Sequence, residues 1–167
     1  TGVNSTIYYI DFSFDKLKLG GSAFAQSLDK IGKEVPTVQD SEYFANAFNA
    51  VQELINKELI LAGHDISAGG MITTMLEMNF ANTEGGLEVS LDEIPEKDLV
   101  KILFSENPGI LIQVEKTDEV EKILKKAGVA FIRLARPCDE RHLLIHKDGA
   151  DYQFFIDHLR DVWFESS

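Results

Sequence analysis

The sequence predicts one α+β domain, a mixed β-sheet with helices packed on one face. Three observations lead there. Strand-like and helix-like patterns alternate along most of the chain. The later strand patterns cluster, with only short turns between them. The 167 residues, 44% hydrophobic and 26% charged, have the size and composition of one globular domain.

Each element has its own signal. Ile7-Tyr8-Tyr9-Ile10-Asp11-Phe12 is short, aromatic and β-branched, the composition of a strand. Gly20-Gly21 breaks the chain, and Ser22 is placed to cap a short helix reaching Leu28. Glu34 to Asp40, which contains Pro36, reads as a loop. A long helix is predicted from Asp40 to about Lys57, because Phe44, Ala47, Phe48, Val51, Leu54 and Ile55 form an apolar stripe at three- and four-residue spacing. Glu58 to Gly63 reads as a buried strand leading to His64, and a second helix spans Met71 to Phe80. After a turn at Asn82 to Gly86, Leu87 to Leu91 alternates like a strand. Pro95 to Phe104 carries a short helix, Ile110 to Val114 a strand, and Thr117 to Ala127 an amphipathic helix stopped by Gly128. Val129 to Ala135, Arg141 to Lys147 and Tyr152 to Phe155 suggest further strands before a terminal helix from about Ile156. Residues 1–20 read as the end of a preceding region with an incoming strand, and 21–167 as the domain proper.

The charge balance excludes whole classes of function. With 28 acidic and 16 basic residues the net charge is −12, a field that repels nucleic acid and anionic membrane surfaces. A single nucleotide is still acceptable, since backbone N–H groups and a divalent cation can hold phosphate on an acidic protein. Cys138, the one cysteine, rules out an internal disulfide and fits a reducing, cytoplasmic compartment. No apolar run reaches the ~18–20 residues that span a bilayer. Thr1-Gly2-Val3-Asn4-Ser5 has neither the basic nor the apolar region of a signal peptide and lacks an initiator Met, so a processed or excised chain is expected.

Chemistry concentrates in His64-Asp65-Ile66-Ser67-Ala68-Gly69-Gly70, where an apolar stretch enters a polar, glycine-rich turn that opens a helix. Such a turn presents backbone N–H groups at the positive end of a helix dipole, favourable to an anion. Asp65 supplies a hard oxygen suited to Mg²⁺, Ser67 a hydroxyl for a phosphate oxygen, and His64 an acid, base or phosphate contact. The same residues also read as plain helix caps and chain turns, and spacing alone leaves both readings standing. Gly20-Gly21-Ser22 reads first as a turn and helix start, and secondly as a loop allowing close approach of a ligand. Glu106, in Leu103-Phe104-Ser105-Glu106-Asn107-Pro108-Gly109, reads first as a buried hydrogen-bond acceptor and secondly as a ligand. His142, His146 and His158 show no metal-ligand spacing with Cys138.

Together and in this order, these motifs resemble the second half of the phosphoribosylformylglycinamidine synthase family, in its C-terminal module of the aminoimidazole-ribonucleotide-synthetase-like superfamily. The strings that carry the resemblance are Lys18 to Gln26, His64 to Met78, Leu103 to Val114 and the tail Leu159 to Glu165. The resemblance implies an enzyme that uses ATP and Mg²⁺ to activate the amide oxygen of formylglycinamide ribonucleotide, and ammonia from glutamine to form the amidine. It implies Asp65 as a Mg²⁺ ligand and Ser67 as a nucleotide contact, with His64, Gly69 and Gly70 shaping the turn. Gly20, Gly21, Ser22 and Glu106 fall at a substrate loop. The implied partners are a nucleotide-binding half and a glutaminase domain of the same polypeptide. Ala68 departs from the pattern, since many relatives carry Asp there. Cys138 is outside any nucleophile-elbow context. A selenophosphate-synthetase-like or hydrogenase-maturation relative and a non-catalytic scaffold are the alternatives; the Trp163 tail and the Leu103–Glu106 string weigh against the former.

Overall fold

The structure, a computed structural model, describes residues 4–166. Thr1–Val3 of the N-terminal segment read above, and Ser167, lie outside the described residues. Seven strands and six helices follow one another as β1 (Thr6–Asp11), α1 (Ala23–Ser27), α2 (Ser41–Asn56), β2 (Ala62–Asp65), α3 (Gly70–Phe80), β3 (Gly86–Ser90), α4 (Leu99–Phe104), β4 (Gly109–Val114), α5 (Thr117–Lys126), β5 (Phe131–Cys138), β6 (His142–Lys147), β7 (Ala150–Phe155) and α6 (Ile156–Ser166). The strands form one sheet in the order β2-β4-β1-β5-β3-β6-β7. Among the described residues only β3 with β6 is a parallel pair, so the sheet is mixed and the class is α+β, as expected.

The helices differ from expectation: they cover both faces rather than one. Ile7, Tyr8, Tyr9 and Ile10 are all buried, which strand alternation allows only if each face of β1 is covered. Ile7, Tyr9 and Leu111 pack with α3, α4 and Ile156 in one apolar cluster. Tyr8, Ile10, Ile112 and Val114 pack with α2 and α5 in another. The boundary drawn at residue 20 separates β1 from its neighbours, whereas the structure seats β1 between β4 and β5 in mid-sheet.

Local sequence explains the element ends. Asp40 caps α2 by accepting from the N–H groups of Glu42 and Tyr43 at 2.9 and 3.0 Å. At the other end Glu58 takes a left-handed φ of 55°, and Leu59 N–H returns to the Leu54 carbonyl at 3.0 Å, a Schellman stop. This turn displaces the strand expected at Glu58 to Gly63. The observed β2 starts at Ala62, runs to Asp65 and is an exposed edge strand, not a buried one. The same stop closes α5, with Gly128 at φ 67° and Val129 N–H on the Leu124 carbonyl. Asp148-Gly149, both at positive φ, make the two-residue turn joining β6 to β7. Among the described residues no helix is long and apolar enough to cross a membrane.

Glu121 ties α5 to the sheet. It accepts from Tyr8 Oη at 2.9 Å, Arg133 Nε at 2.7 Å and Lys125 Nζ at 2.8 Å. Lys125 first, then Arg133 and Tyr8, hold its carboxyl down from 4.5 to about 2. Because the folded value lies below the unfolded one, the contribution to stability is complete above the unfolded value and vanishes as pH falls through about 2. In Glu121→Gln, stability measured by urea unfolding is therefore expected to fall less steeply than in the parent between the two values. Parallel curves would rule this network out as a source of acid sensitivity.

Candidate functional site

The junction of β2 and α3 brings His64, Asp65, Ser67 and Gly69 together at the surface, while Gly70 is buried. β2 pairs with β4 up to Asp65 opposite Ile110, and Ile66 then drops into the core. The chain turns through Ser67, Ala68 and Gly69 and enters α3 at Gly70. Ser67 and Ala68 are exposed, and the Asp65 side chain is 77% exposed. The α3 cap is Gly69 itself, at φ 89°, and no side chain caps it, so neither Asp65 nor Ser67 serves as a helix cap. Gly70 is glycine for a steric reason. Its φ is 75°, and a Cβ there would sit 2.7 Å from the Leu103 carbonyl oxygen and 2.8 Å from Phe104 Cα.

His64 sits beside the turn with both ring nitrogens engaged. Nδ1 is 2.8 Å from the Asp65 carbonyl oxygen, and Nε2 is 3.1 Å from a carboxylate oxygen of Glu77 on α3. Thr74 on α3 donates to the same Asp65 carbonyl at 3.2 Å. The turn is thus anchored to its own helix by side chains, while the Asp65 carboxylate faces outward.

The other two motifs converge on this turn. One carboxylate oxygen of Glu106 accepts from Gly69 N–H at 2.9 Å and from Ala23 N–H, at the start of α1, at 2.8 Å. Ser22 caps α1 as expected, accepting from Ala25 N–H at 3.2 Å. The amides of Gly20 and Gly21 are taken up within the protein, donating to the carbonyls of Glu34 at 2.8 Å and Ile31 at 2.7 Å. A Cβ on Gly20 would lie 2.2 Å from the Glu34 carbonyl oxygen, and Gly21 has a φ of 76°, so the turn requires glycine at both positions.

A sizeable cleft lies elsewhere. A cleft of about 770 Å³ is lined by the Asn82–Gly86 turn, Pro137, Cys138 and Asp139, at the far end of α3. Along α3, Met78, which lines it, stands about 13 Å from Gly69 at 1.5 Å per residue. Its described lining has two carboxylates, Glu84 and Asp139, and no Lys, Arg or His, which disfavours phosphate. Burial pushes the Cys138 thiol up, away from a reactive thiolate. His146 is paired with Asp151 on the neighbouring strand at 2.6 Å, and His142 faces Gln153. Among the described residues no three His, Cys, Asp or Glu side chains are grouped to hold a metal. A cation at Asp65 would complete its shell with phosphate oxygens and water, the usual manner of Mg²⁺.

The family model for AIR synthase related protein, C-terminal domain, matches residues 5–143, from β1 into β6. The chain belongs to this family. All three motifs fall inside the match, whereas β7 and α6 lie beyond it. The chain is 35% identical over 170 residues to a probable phosphoribosylformylglycinamidine synthase, chloroplastic/mitochondrial, of Arabidopsis thaliana, covering 99% of this chain and 12% of the relative. It is 35% identical over 167 residues to the phosphoribosylformylglycinamidine synthase of Homo sapiens, covering 96% of this chain and again 12% of the relative. The chain therefore spans about an eighth of the length of these relatives. Among solved structures, Thermotoga maritima PurL complexed with ATP shares the fold, with TM-score 0.70 and 16% identity over 94% of this chain and 26% of that one. The Escherichia coli HypE structure shares it more loosely, at TM-score 0.60 and 15% identity over 95% of this chain and 51% of that one.

Within this AIR synthase related domain, the sequence located the turn and Glu106 but missed the residues that fasten them. Ser105 and Asn107, 3% and 1% exposed, form a buried polar hub beside Glu106. A polar Ser-Glu-Asn run between apolar Leu103-Phe104 and Ile110-Leu111 was the available signal. Glu77 gave none, because its approach to His64 depends on how α3 lies against β2.

Proposed function

We propose that the chain is the C-terminal module of an ATP- and glutamine-dependent ligase that forms a C–N bond in purine biosynthesis, converting formylglycinamide ribonucleotide to its amidine. The observation that carries the reading is the turn after β2. It leaves a carboxylate and a hydroxyl, Asp65 and Ser67, exposed at a helix start that neither of them caps. The names of relatives 35% identical across nearly this whole chain support the substrate and the reaction.

In this reading Asp65 holds Mg²⁺ and Ser67 donates to a phosphate oxygen. The Gly69-Gly70 backbone lets phosphate approach the positive end of α3. When bound, Mg-ATP supplies the phosphoryl group that activates the substrate amide. His64, held by Glu77 and the Asp65 carbonyl, lines the same turn. Gly20, Gly21, Ser22 and Glu106 form the wall beside it and act as the substrate loop. The nucleotide-binding half and the glutaminase that releases ammonia are supplied by other domains of the same polypeptide, in the cytoplasm. Residues 21–167 with the central strand β1 then form the module.

Asp65→Ala in the complete polypeptide tests this. Retention of Mg-nucleotide through gel filtration is expected to fall about tenfold or more, the size of effect seen when one partner is taken from a metal site. Unchanged nucleotide content, with unchanged stabilisation by Mg-ATP, would remove Asp65 from the site.

A further inference from the structure

Four consecutive residues, Phe104 to Asn107, fasten the segment before and into α1 onto the start of α3. The Phe104 ring stacks on Phe24 of α1 with centroids 4.5 Å apart, and its backbone fills the space that a side chain on Gly70 would need. The buried Ser105 hydroxyl accepts from Lys18 N–H at 3.1 Å and donates to the Lys18 carbonyl at 2.9 Å. Asn107 donates to Ser13 Oγ and to the Lys16 carbonyl, both at 3.1 Å. Between them Glu106, half-buried, is the one charged member, and it alone bonds both loops through a single oxygen.

That sharing has a geometric consequence. An oxygen holding two N–H groups at 2.8 and 2.9 Å fixes the start of α1 relative to the Gly69 turn, because displacing either loop breaks one bond. One accepting oxygen thereby satisfies two backbone N–H groups at once. Glu77 and Thr74 anchor the turn only to its own helix, whereas Glu106 sets its distance from the neighbouring glycine loop.

We propose that Glu106 is the positioning residue of the nucleotide turn, a clasp that holds the α1 loop and the Gly69 turn at the spacing needed for a ligand between Asp65 and the loop. This rests on the nucleotide reading above. The clasp works by reach and by accepting hydrogen bonds, not by net charge. Glu106→Gln keeps both, while Glu106→Asp keeps the charge but is one methylene too short to serve both amides.

The test uses both variants in the complete polypeptide. In Glu106→Asp, hydrogen exchange at the amides of Ala23 and Gly69 is expected to rise about tenfold, the factor for losing one hydrogen bond. KM for Mg-ATP is expected to rise by about the same factor in Glu106→Asp, more than any change in kcat, and Glu106→Gln is expected to keep the parent's exchange rates. Three results overturn the proposal: unchanged exchange in Glu106→Asp, raised exchange with unchanged KM, or a Glu106→Gln variant as impaired as Glu106→Asp. The exchange measurement needs no nucleotide. If Asp65→Ala shows that the turn binds none, the clasp is still judged by exchange, and the two failures remain distinct.

Discussion

Gly70→Ala is expected to lower stability by about 3 kcal/mol, from the strain of a non-glycine residue at positive φ added to overpacking. The φ of 75° already penalises any side chain. The new methyl would also meet backbone atoms of Leu103 and Phe104 at 2.7 to 2.8 Å, and backbone cannot rotate away as a flexible side-chain end can. Relief requires α3 to lift from the end of α4, which drags the Gly69 turn off Glu106. Urea unfolding should show the loss as a lower midpoint with unchanged slope, and nucleotide retention should fall with it. A loss below about 0.5 kcal/mol, the range of a neutral surface change, would mean that the close approach of α3 to α4 is not required.

Leu54→Ala is expected to cost a comparable amount, about 2–5 kcal/mol, by a different route. Leu54 is fully buried on α2, packed against the sheet face opposite to α3. Removing three carbons leaves a cavity that the rigid sheet closes only in part. The turn after β2, anchored through α3 on the other face, should keep its geometry. Retention of Mg-nucleotide by the folded protein should therefore match the parent, in contrast to Gly70→Ala. A parallel loss of retention would show that the two faces are coupled through β1 and β4.

The contrast marks what the sequence could show. The long helix was readable because Ala47, Val51 and Leu54 recur at the helical period and Asp40 stands ready as a cap. Its stripe proved narrower than read, since Phe48 and Ile55 are about half exposed. The strand after it was misplaced because Glu58, not Gly, occupies the left-handed position of the Schellman stop, so the usual marker was missing. Helices on both faces were implied by four consecutive buried residues, Ile7 to Ile10, but a short apolar run is equally compatible with other kinds of burial. The polar run at Ser105–Asn107 is legible in the sequence, but its partners, Ser13, Lys16 and Lys18, lie far off along the chain and are not.

The sequence by itself determined the local pieces: where helices begin, which turns need glycine, and that Asp65 and Ser67 stand just before a helix. These follow from backbone sterics and hydrogen bonds that act within a few residues. Only the tertiary structure decided that α1, the Gly69 turn and Glu106 meet, that β2 is an exposed edge, and that a cleft of about 770 Å³ lies away from the candidate site. Those outcomes depend on the order of strands in the sheet, which is set by packing between segments remote along the chain, and no local pattern of residues encodes it.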